Sequence, residues 1–396
     1  MDSDRLKAMV VDEIDAQQAE LVEMSLRIHQ NPELGFKEEK ASAWLAEYLE
    51  KCGFEVERGV CELATAFKAR YGSGRPAIAL LAEYDALPGV GHACGHNIIG
   101  TAAVGAAVAA RKAVDAAGGS VVVVGTPAEE SYGGKIIMAE CGAFKDLDAA
   151  MLVHPFAVNM ASMQAMAAIR LDVEFFGKAV HAAGLAERGI NALEAMLLSF
   201  SALNSLRQHI PESTRVHGII THGGDAPNIV PAYSAGTFLV RSEWEPYLDE
   251  LKEKVLHCFQ AASLATGARL EYQWGAHYAS LRCNNALAEL FATNLETLGR
   301  DVLPAIERGL GSSDMGNVSV IVPAIHPVVA IASLDVMLHS PEFAEAAASE
   351  AGHKGLVDGA KALAMTVVDL VARPEAMQRV KEEFAERSAD EDGRAP

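Results

Sequence analysis

The chain has 396 residues, more than one ordinary hydrophobic core organises, since single cores stop growing near about 250–300 residues; two domains are expected. Half of the residues are hydrophobic and 22% are charged, a globular composition that is neither disordered nor fibrous. With 33 Lys+Arg against 53 Asp+Glu the net charge is −20, which argues against a nucleic-acid backbone or an anionic membrane surface as partner, because each needs a basic face.

The start, Met1-Asp2-Ser3-Asp4, lacks the basic residues and apolar core of a signal peptide. The longest apolar stretch, 98–110, is Ala/Gly-rich and shorter than the about 20 residues of a bilayer span, so a cytoplasmic protein is expected. Within 38–52, Ala41, Trp44, Leu45, Tyr48 and Leu49 recur at helical spacing, and Gly53 follows as a stop. Short apolar runs at 77–82, 121–124, 149–153 and 328–332 read as buried strands. Helical segments between the first three predict an α/β sheet, mostly parallel and covered on both faces. The middle of the chain differs. Leu171, Val173 and Phe175 alternate with polar positions as in a half-buried strand, a helix is predicted over 191–208, strands over 215–220 and 235–241, a helix over 246–265 and a strand over 268–275. This β-α-β-β-α-β order matches the ferredoxin-like motif, read as a domain at 169–281 inserted into an α/β domain made by 1–168 and 282–396. The tail from Arg379 is charge-rich and is expected to fray. The six cysteines, 52, 61, 94, 141, 258 and 283, are expected to be reduced, and no C-x-x-C pair, phosphate-binding glycine loop or serine-hydrolase elbow is present.

Chemistry-bearing residues follow each predicted strand of the larger domain. The first strand leads to Glu83-Tyr84-Asp85 and His92-Ala93-Cys94-Gly95-His96-Asn97, the second to Glu129-Glu130, the third to His154-Pro155 and the fourth to His339-Ser340-Pro341-Glu342. In open α/β sheets ligands bind beyond the carboxyl ends of the strands. Cys94 and His96, two apart in a loop, can both point into a cleft, and thiolate, imidazole and carboxylate together favour zinc-like metals. Five such donors exceed what one tetrahedral ion takes, whereas two ions roughly 3.5–4 Å apart with a bridging ligand account for them. In the pair Glu129-Glu130, one carboxylate can bind metal while its neighbour removes a proton from the attacking water. Taken singly, His154 reads as an ordinary histidine, Cys94 as a small buried hydrophobe and Glu129-Glu130 as a solvated face. A thiol hydrolase using Cys94 with His96, and a binding protein without chemistry, also stay open on these residues alone.

The segments Ile28-His29-Gln30-Asn31-Pro32-Glu33-Leu34-Gly35-Phe36, Ala93-Cys94-Gly95-His96-Asn97, Pro127-Ala128-Glu129-Glu130 and His154-Pro155 together resemble the aminoacylase/carboxypeptidase superfamily of dinuclear metallo-hydrolases. Within it they resemble the amidohydrolase branch of hippurate and auxin-conjugate hydrolases. Asn97, where that branch has Asp, and Gly311-Ser312-Ser313-Asp314-Met315-Gly316-Asn317 resemble the subgroup of p-aminobenzoyl-glutamate hydrolases and β-alanyl dipeptidases. The resemblance runs from about residue 20 to 370. It implies a homodimeric enzyme with a catalytic α/β domain, an inserted ferredoxin-like lid that dimerises, and two divalent ions per subunit, Zn²⁺ or Mn²⁺. It implies metal ligands Cys94 (bridging), His96, Glu130, His154 and His339, with Glu129 as general base. In the lid it implies that His181, within Gly177-Lys178-Ala179-Val180-His181-Ala182, reaches the neighbouring subunit's site and donates to the developing oxyanion. Asn228 would contact substrate, and Arg241 would hold a substrate carboxylate. The implied substrate is a small amide, an N-acyl or N-aroyl amino acid or a dipeptide. Two positions depart from the pattern. The wider superfamily's His-x-Asp motif is Glu83-Tyr84-Asp85 here, which puts Asp85 behind the ligands, and Asn97 cannot carry the charge of an aspartate.

Overall fold

The structure is a computed structural model that describes residues 2–130, 132–304 and 311–391. Helices α1 (Ser3–His29) and α2 (Glu39–Lys51) precede strands β1 (Glu55–Arg58), β2 (Phe67–Tyr71) and β3 (Ala77–Ala82). Then come α3 (His96–Ala117), β4 (Ser120–Gly125), α4 (Gly134–Glu140), β5 (Ala149–Met151) and β6 (His154–Phe156). The middle holds β7 (Ala167–Phe176), α5 (Ala192–Leu206), β8 (Thr214–His222), β9 (Tyr233–Ser242), α6 (Glu245–Thr266) and β10 (Arg269–Tyr278). The chain closes with α7 (Asn285–Thr297), α8 (Met315–Ser319), β11 (Ala324–Ile325), β12 (Val328–Ala330), α9 (Pro341–Ala347), α10 (Glu350–Ala372) and α11 (Pro374–Glu391). Two compact units result: Ala165–Ser280 with 311–313, and the remaining described residues.

The larger unit is α/β. Its six-stranded sheet runs β1-β2-β4-β3-β5-β11, parallel across β4, β3, β5 and β11 and antiparallel at the β1–β2 edge. Every residue of β3 and β4 is buried, which is why their sequences are continuous apolar runs rather than alternating ones. The Ala-rich α3 packs between α1 and α10, and Ala102, Ala103, Ala106, Ala107 and Ala110 are buried at those close contacts. Among the described residues no helix is long and apolar enough to cross a membrane.

Three expectations are corrected. The run at 328–332 is not a strand of the main sheet: β12 pairs in parallel with β6 in a separate two-stranded sheet, while the two-residue β11 takes the place beside β5. The chain leaves the main sheet after Met151 and after Ile325, and the segments that follow each exit, His154–Phe156 and Val328–Ala330, pair with each other instead. Residues from 379 to 391 are helical rather than frayed, and Arg379 pairs with Glu289 on α7 at 2.9 Å. Cys61 and Cys141 are joined as a disulfide, their Cα atoms 6.0 Å apart as bridged cysteines require, whereas Cys52, Cys94, Cys258 and Cys283 are free.

The smaller unit is an antiparallel sheet of order β10-β7-β9-β8 with α5 and α6 on one face, the ferredoxin-like arrangement. Leu171, Val173, Phe175, Phe238 and Val240 point inward against Met196, Leu203, Leu251, Val255 and Phe259. The strand residues between them, Arg170, Asp172 and Glu174 among them, lie on the other face, as the period of two demands. Asn191 starts α5 by accepting the Leu193 and Glu194 amides. Strand β8 is an edge and exposes Ile219.

Candidate metal centre and active site

The site begins at the carboxyl end of β3. Buried Asp85 accepts from Nδ1 of His96 at 2.9 Å with one oxygen and from the Glu130 amide at 3.0 Å with the other. Gly95 lies just ahead of α3 with φ +79°, and a Cβ there would sit 2.4 Å from Cγ of Pro155, so glycine alone lets the Cys94–His96 turn pass over His154-Pro155. With Nδ1 of His96 spent on Asp85, its Nε2 is left 3.7 Å from a carboxylate oxygen of Glu83 and 3.7 Å from one of Glu130. His154 uses Nδ1 on the Pro155 carbonyl at 2.7 Å, and its Nε2 lies 3.3 Å from Sγ of Cys94. Burial pulls His154 down to about 4, which keeps it neutral and its Nε2 lone pair available. Burial pushes the Cys94 thiol up, so a thiolate there requires a cation beside it.

Three overlapping donor groups result. The ligating atoms of Cys94, His96 and His154 lie within 4.8 Å of one another, as do those of Cys94, Glu130 and His339 and those of His96, Glu129 and Glu130. Oε1 of Glu130 is 3.7 Å from Nε2 of His96 and 3.6 Å from Nε2 of His339. His339 is the most open member, with a side chain 53% exposed; its φ is +66°, and its amide is held by the Ala93 carbonyl at 3.0 Å. Nε2 of His96 and Oε1 of Glu130 are buried with no hydrogen-bond partner. Such orphaned donor atoms are costly unless a cation takes their lone pairs, and a soft thiolate with imidazoles and a carboxylate is a donor set suited to a zinc-like ion. The residues fit a divalent metal.

Glu129 follows Ala128, whose φ of +61° is rare for a residue with a side chain. The Ala128 amide donates to Glu38 at 2.9 Å, and Glu38 also accepts from the Thr65 hydroxyl at 2.9 Å. Glu38 is fully buried, and that burial pushes its carboxyl up to about 7. Burial and the charges of Glu83 and Asp314 hold the Glu129 carboxyl well above the usual carboxylate range. Nearby, Nζ of Lys135 lies 2.6 Å from Glu83 and 2.6 Å from Asp314, all three side chains fully buried.

Five residues of this neighbourhood carry no signal of their role in the local sequence pattern or carry one that is easily passed over: Glu38, Lys135, Asp314, Glu83 as a charged partner, and His326. His326 is buried with both ring nitrogens unpartnered, its ring centroid 5.4 Å from that of His154. It had a signal, because His326-Pro327 repeats His154-Pro155 after a short apolar run.

In the smaller unit, a bridge between His181 and Ile229 and a 2.9 Å bond from the Ala182 amide to the Asn228 carbonyl bring His181 and Asn228 together. Arg241 lies on β9 opposite Arg215, with its Nε buried and unpartnered.

Comparison with known proteins agrees with this geometry. Residues 79–364 match peptidase family M20/M25/M40. The chain is 38% identical to the Xaa-Arg dipeptidase of Mus musculus, covering 96% of this chain and 92% of that one. It is 31% identical to a subunit of the p-aminobenzoyl-glutamate hydrolase of Escherichia coli (strain K12), covering 94% and 93%. Its fold matches a dinuclear metal binding peptidase from the M20 family of Bacillus subtilis with a TM-score of 0.70 at 20% identity, over 90% of this chain and 99% of that one. The chain therefore belongs to peptidase family M20/M25/M40 and is a hydrolase of amide bonds.

Proposed function

We propose that the chain is a dinuclear metal-dependent dipeptidase or acyl-amino-acid amidohydrolase whose substrate carries a free carboxylate on the leaving side. The observation that carries the reading is the set of three overlapping donor groups, with Cys94 common to two of them and Glu129 beside Glu130. Cys94, His96, Glu130, His154 and His339 would hold two ions, Zn²⁺ or Mn²⁺, with Cys94 between them. Divalent ions bound there supply Lewis acidity towards the amide carbonyl and towards water. Glu129 takes the proton of the attacking water and returns it to the leaving nitrogen, work suited to a carboxyl whose proton affinity is raised by burial. Asp85 fixes the His96 ring and the Glu130 backbone together. Arg241, set opposite a second arginine, suits a substrate carboxylate, which it can grip bidentately, and Asn228 contacts the substrate backbone. His181 would donate to the oxyanion from the partner subunit of a homodimer, the exposed β8 edge being a natural pairing surface.

The relative named as an Xaa-Arg dipeptidase makes dipeptides ending in arginine the first substrates to try. Purified protein supplied with Zn²⁺ or Mn²⁺ should hydrolyse members of a panel of Xaa-Arg and β-alanyl dipeptides, p-aminobenzoyl-glutamate and N-acyl amino acids, and should lose activity to a chelator. Equal turnover of the corresponding C-terminal amides would overturn the requirement for a free carboxylate. Metal analysis that finds no tightly held ion would overturn the reading itself. Co-expressed, tagged Glu129→Gln and His181→Ala chains should regain up to about a quarter of wild-type activity if each site draws on both chains of the dimer, because random pairing makes half the dimers mixed with one intact site of two.

A further inference from the structure

Glu38 occupies the position just before α2, where a side chain ordinarily caps its own helix, yet it makes no such cap. The α2 amides of Lys40 and Ala41 are taken instead by Glu33, at 3.0–3.1 Å. The Glu38 carboxylate is sent inward and is fully buried, with Oε1 accepting from the Ala128 amide and Oε2 from the Thr65 hydroxyl, each at 2.9 Å. Thr65 is itself tethered, since its carbonyl accepts from the Tyr84 hydroxyl at 2.6 Å.

The residue that Glu38 holds is the strained one. Ala128 has a left-handed φ of +61° without being glycine, and it directly precedes Glu129. Its carbonyl accepts from the Gly133 amide at 3.0 Å and the Tyr132 amide at 3.3 Å, so the peptide is tied from both sides. A Cβ on Gly35 would lie 2.9 Å from the Ala128 Cβ, which shows how closely the segment leading to Glu38 is laid against this turn. A conformation this sparsely populated persists only where its surroundings over-determine it, and such strain gathers at functional sites.

We propose that Glu38 is a positioning residue for Glu129: by holding the Ala128 amide it fixes the left-handed turn and thereby the direction in which the Glu129 carboxylate leaves the backbone. This rests on Glu129 being the general base. The bonds to the Glu38 carboxyl come from Ala128 and Thr65, neither of them a proposed metal ligand; it acts through Ala128.

The test is steady-state kinetics on the metal-loaded enzyme, together with metal content and melting temperature. Glu38→Ala frees the Ala128 amide and should lower kcat by at least about tenfold with KM changed less than about threefold and metal content kept, since a small misplacement of a catalytic group is costly. Glu38→Gln retains an acceptor oxygen and should recover most of that loss. A merely structural Glu38 predicts a lower melting temperature with wild-type kcat below it, and that result overturns the proposal. Glu38→Asp decides the matter even if Glu38→Ala does not fold, because it keeps the carboxylate but draws it back by one methylene from the Ala128 amide. It should keep metal content and lower kcat at least about fivefold, and wild-type kcat in that variant overturns the proposal. Glu129→Gln, run alongside, separates the two readings: if it is active, the general-base assignment fails, and if it is inactive while Glu38→Ala and Glu38→Asp turn over normally, only the positioning role fails.

Discussion

The carboxylate of Asp85 receives the Glu130 amide at 3.0 Å on one oxygen, and its other oxygen takes the Nδ1–H of His96 at 2.9 Å. Two donors that arrive from different segments of the chain, one at the start of α3 and one after β4, are thus referred to a single buried anion at the end of β3. Asp85→Ala should leave the fold in place and weaken divalent-metal affinity about 10–100-fold, the usual effect of losing a group that orients a ligand. Competition against a chromophoric chelator measures this, and unchanged affinity would remove Asp85 from any role behind the metal donors.

Glu129→Gln keeps the size of the side chain but cannot accept a proton. It should retain metal content and lower kcat about 10²–10⁴-fold. Activity within about threefold of wild type would mean another group serves as base.

Lys135 sits between Glu83 and Asp314 with no exposure of any of the three side chains. Lys135→Met leaves two carboxylates buried without their cation and should cost about 3–5 kcal/mol of unfolding free energy in chemical denaturation. Adding Asp314→Asn removes one of those orphaned charges and should return part of the loss. Strict additivity of the two changes would show that they are not coupled.

The pH dependence of stability carries a signature of Glu38. Its carboxyl titrates at about 7 in the folded protein against an ordinary 4.5, so the folded state binds this proton more tightly than the unfolded one. The resulting stability is fully present below 4.5 and is lost as the pH rises through 7. Between pH 5 and 8 the wild type should therefore lose up to about 3 kcal/mol relative to Glu38→Gln, which does not titrate. Parallel denaturation curves at the two pH values check this; identical pH slopes for both proteins would contradict the raised proton affinity.

What periodicity and strand burial encode was legible in the sequence. Residues 77–82 form a strand with those bounds because all six side chains face a covered sheet, and the β-α-β-β-α-β order of the smaller unit follows from alternation that the core of Leu171, Val173 and Phe175 imposes. Strand β11 was not legible because two residues carry no period, and without it the 328–332 run is assigned to the wrong sheet. The charged groups around Glu129 were hidden for another reason. Lys and Glu are exposed by default, so nothing local marks Glu38, Glu83 or Lys135 as buried; their partners lie 90, 52 and 179 positions away, as in Glu38 to Ala128, Glu83 to Lys135 and Lys135 to Asp314. Asp314 stands in a glycine- and serine-rich segment that gives no hint of a buried ion pair, and His326 shares with His154 a following proline and a place just beyond a strand of the main sheet.

The excursion of the chain through Ala165–Ser280 has a consequence for how the enzyme comes into being. Strand β5 receives its neighbour β11, and β6 its neighbour β12, only after that whole unit has been made. Asp314 and His339 arrive equally late, so the second anion beside Lys135 and one of the proposed metal ligands are added only after the smaller unit. Until β11 is made the edge of β5 is bare, and an unpaired strand edge is the kind of surface that favours edge-to-edge association.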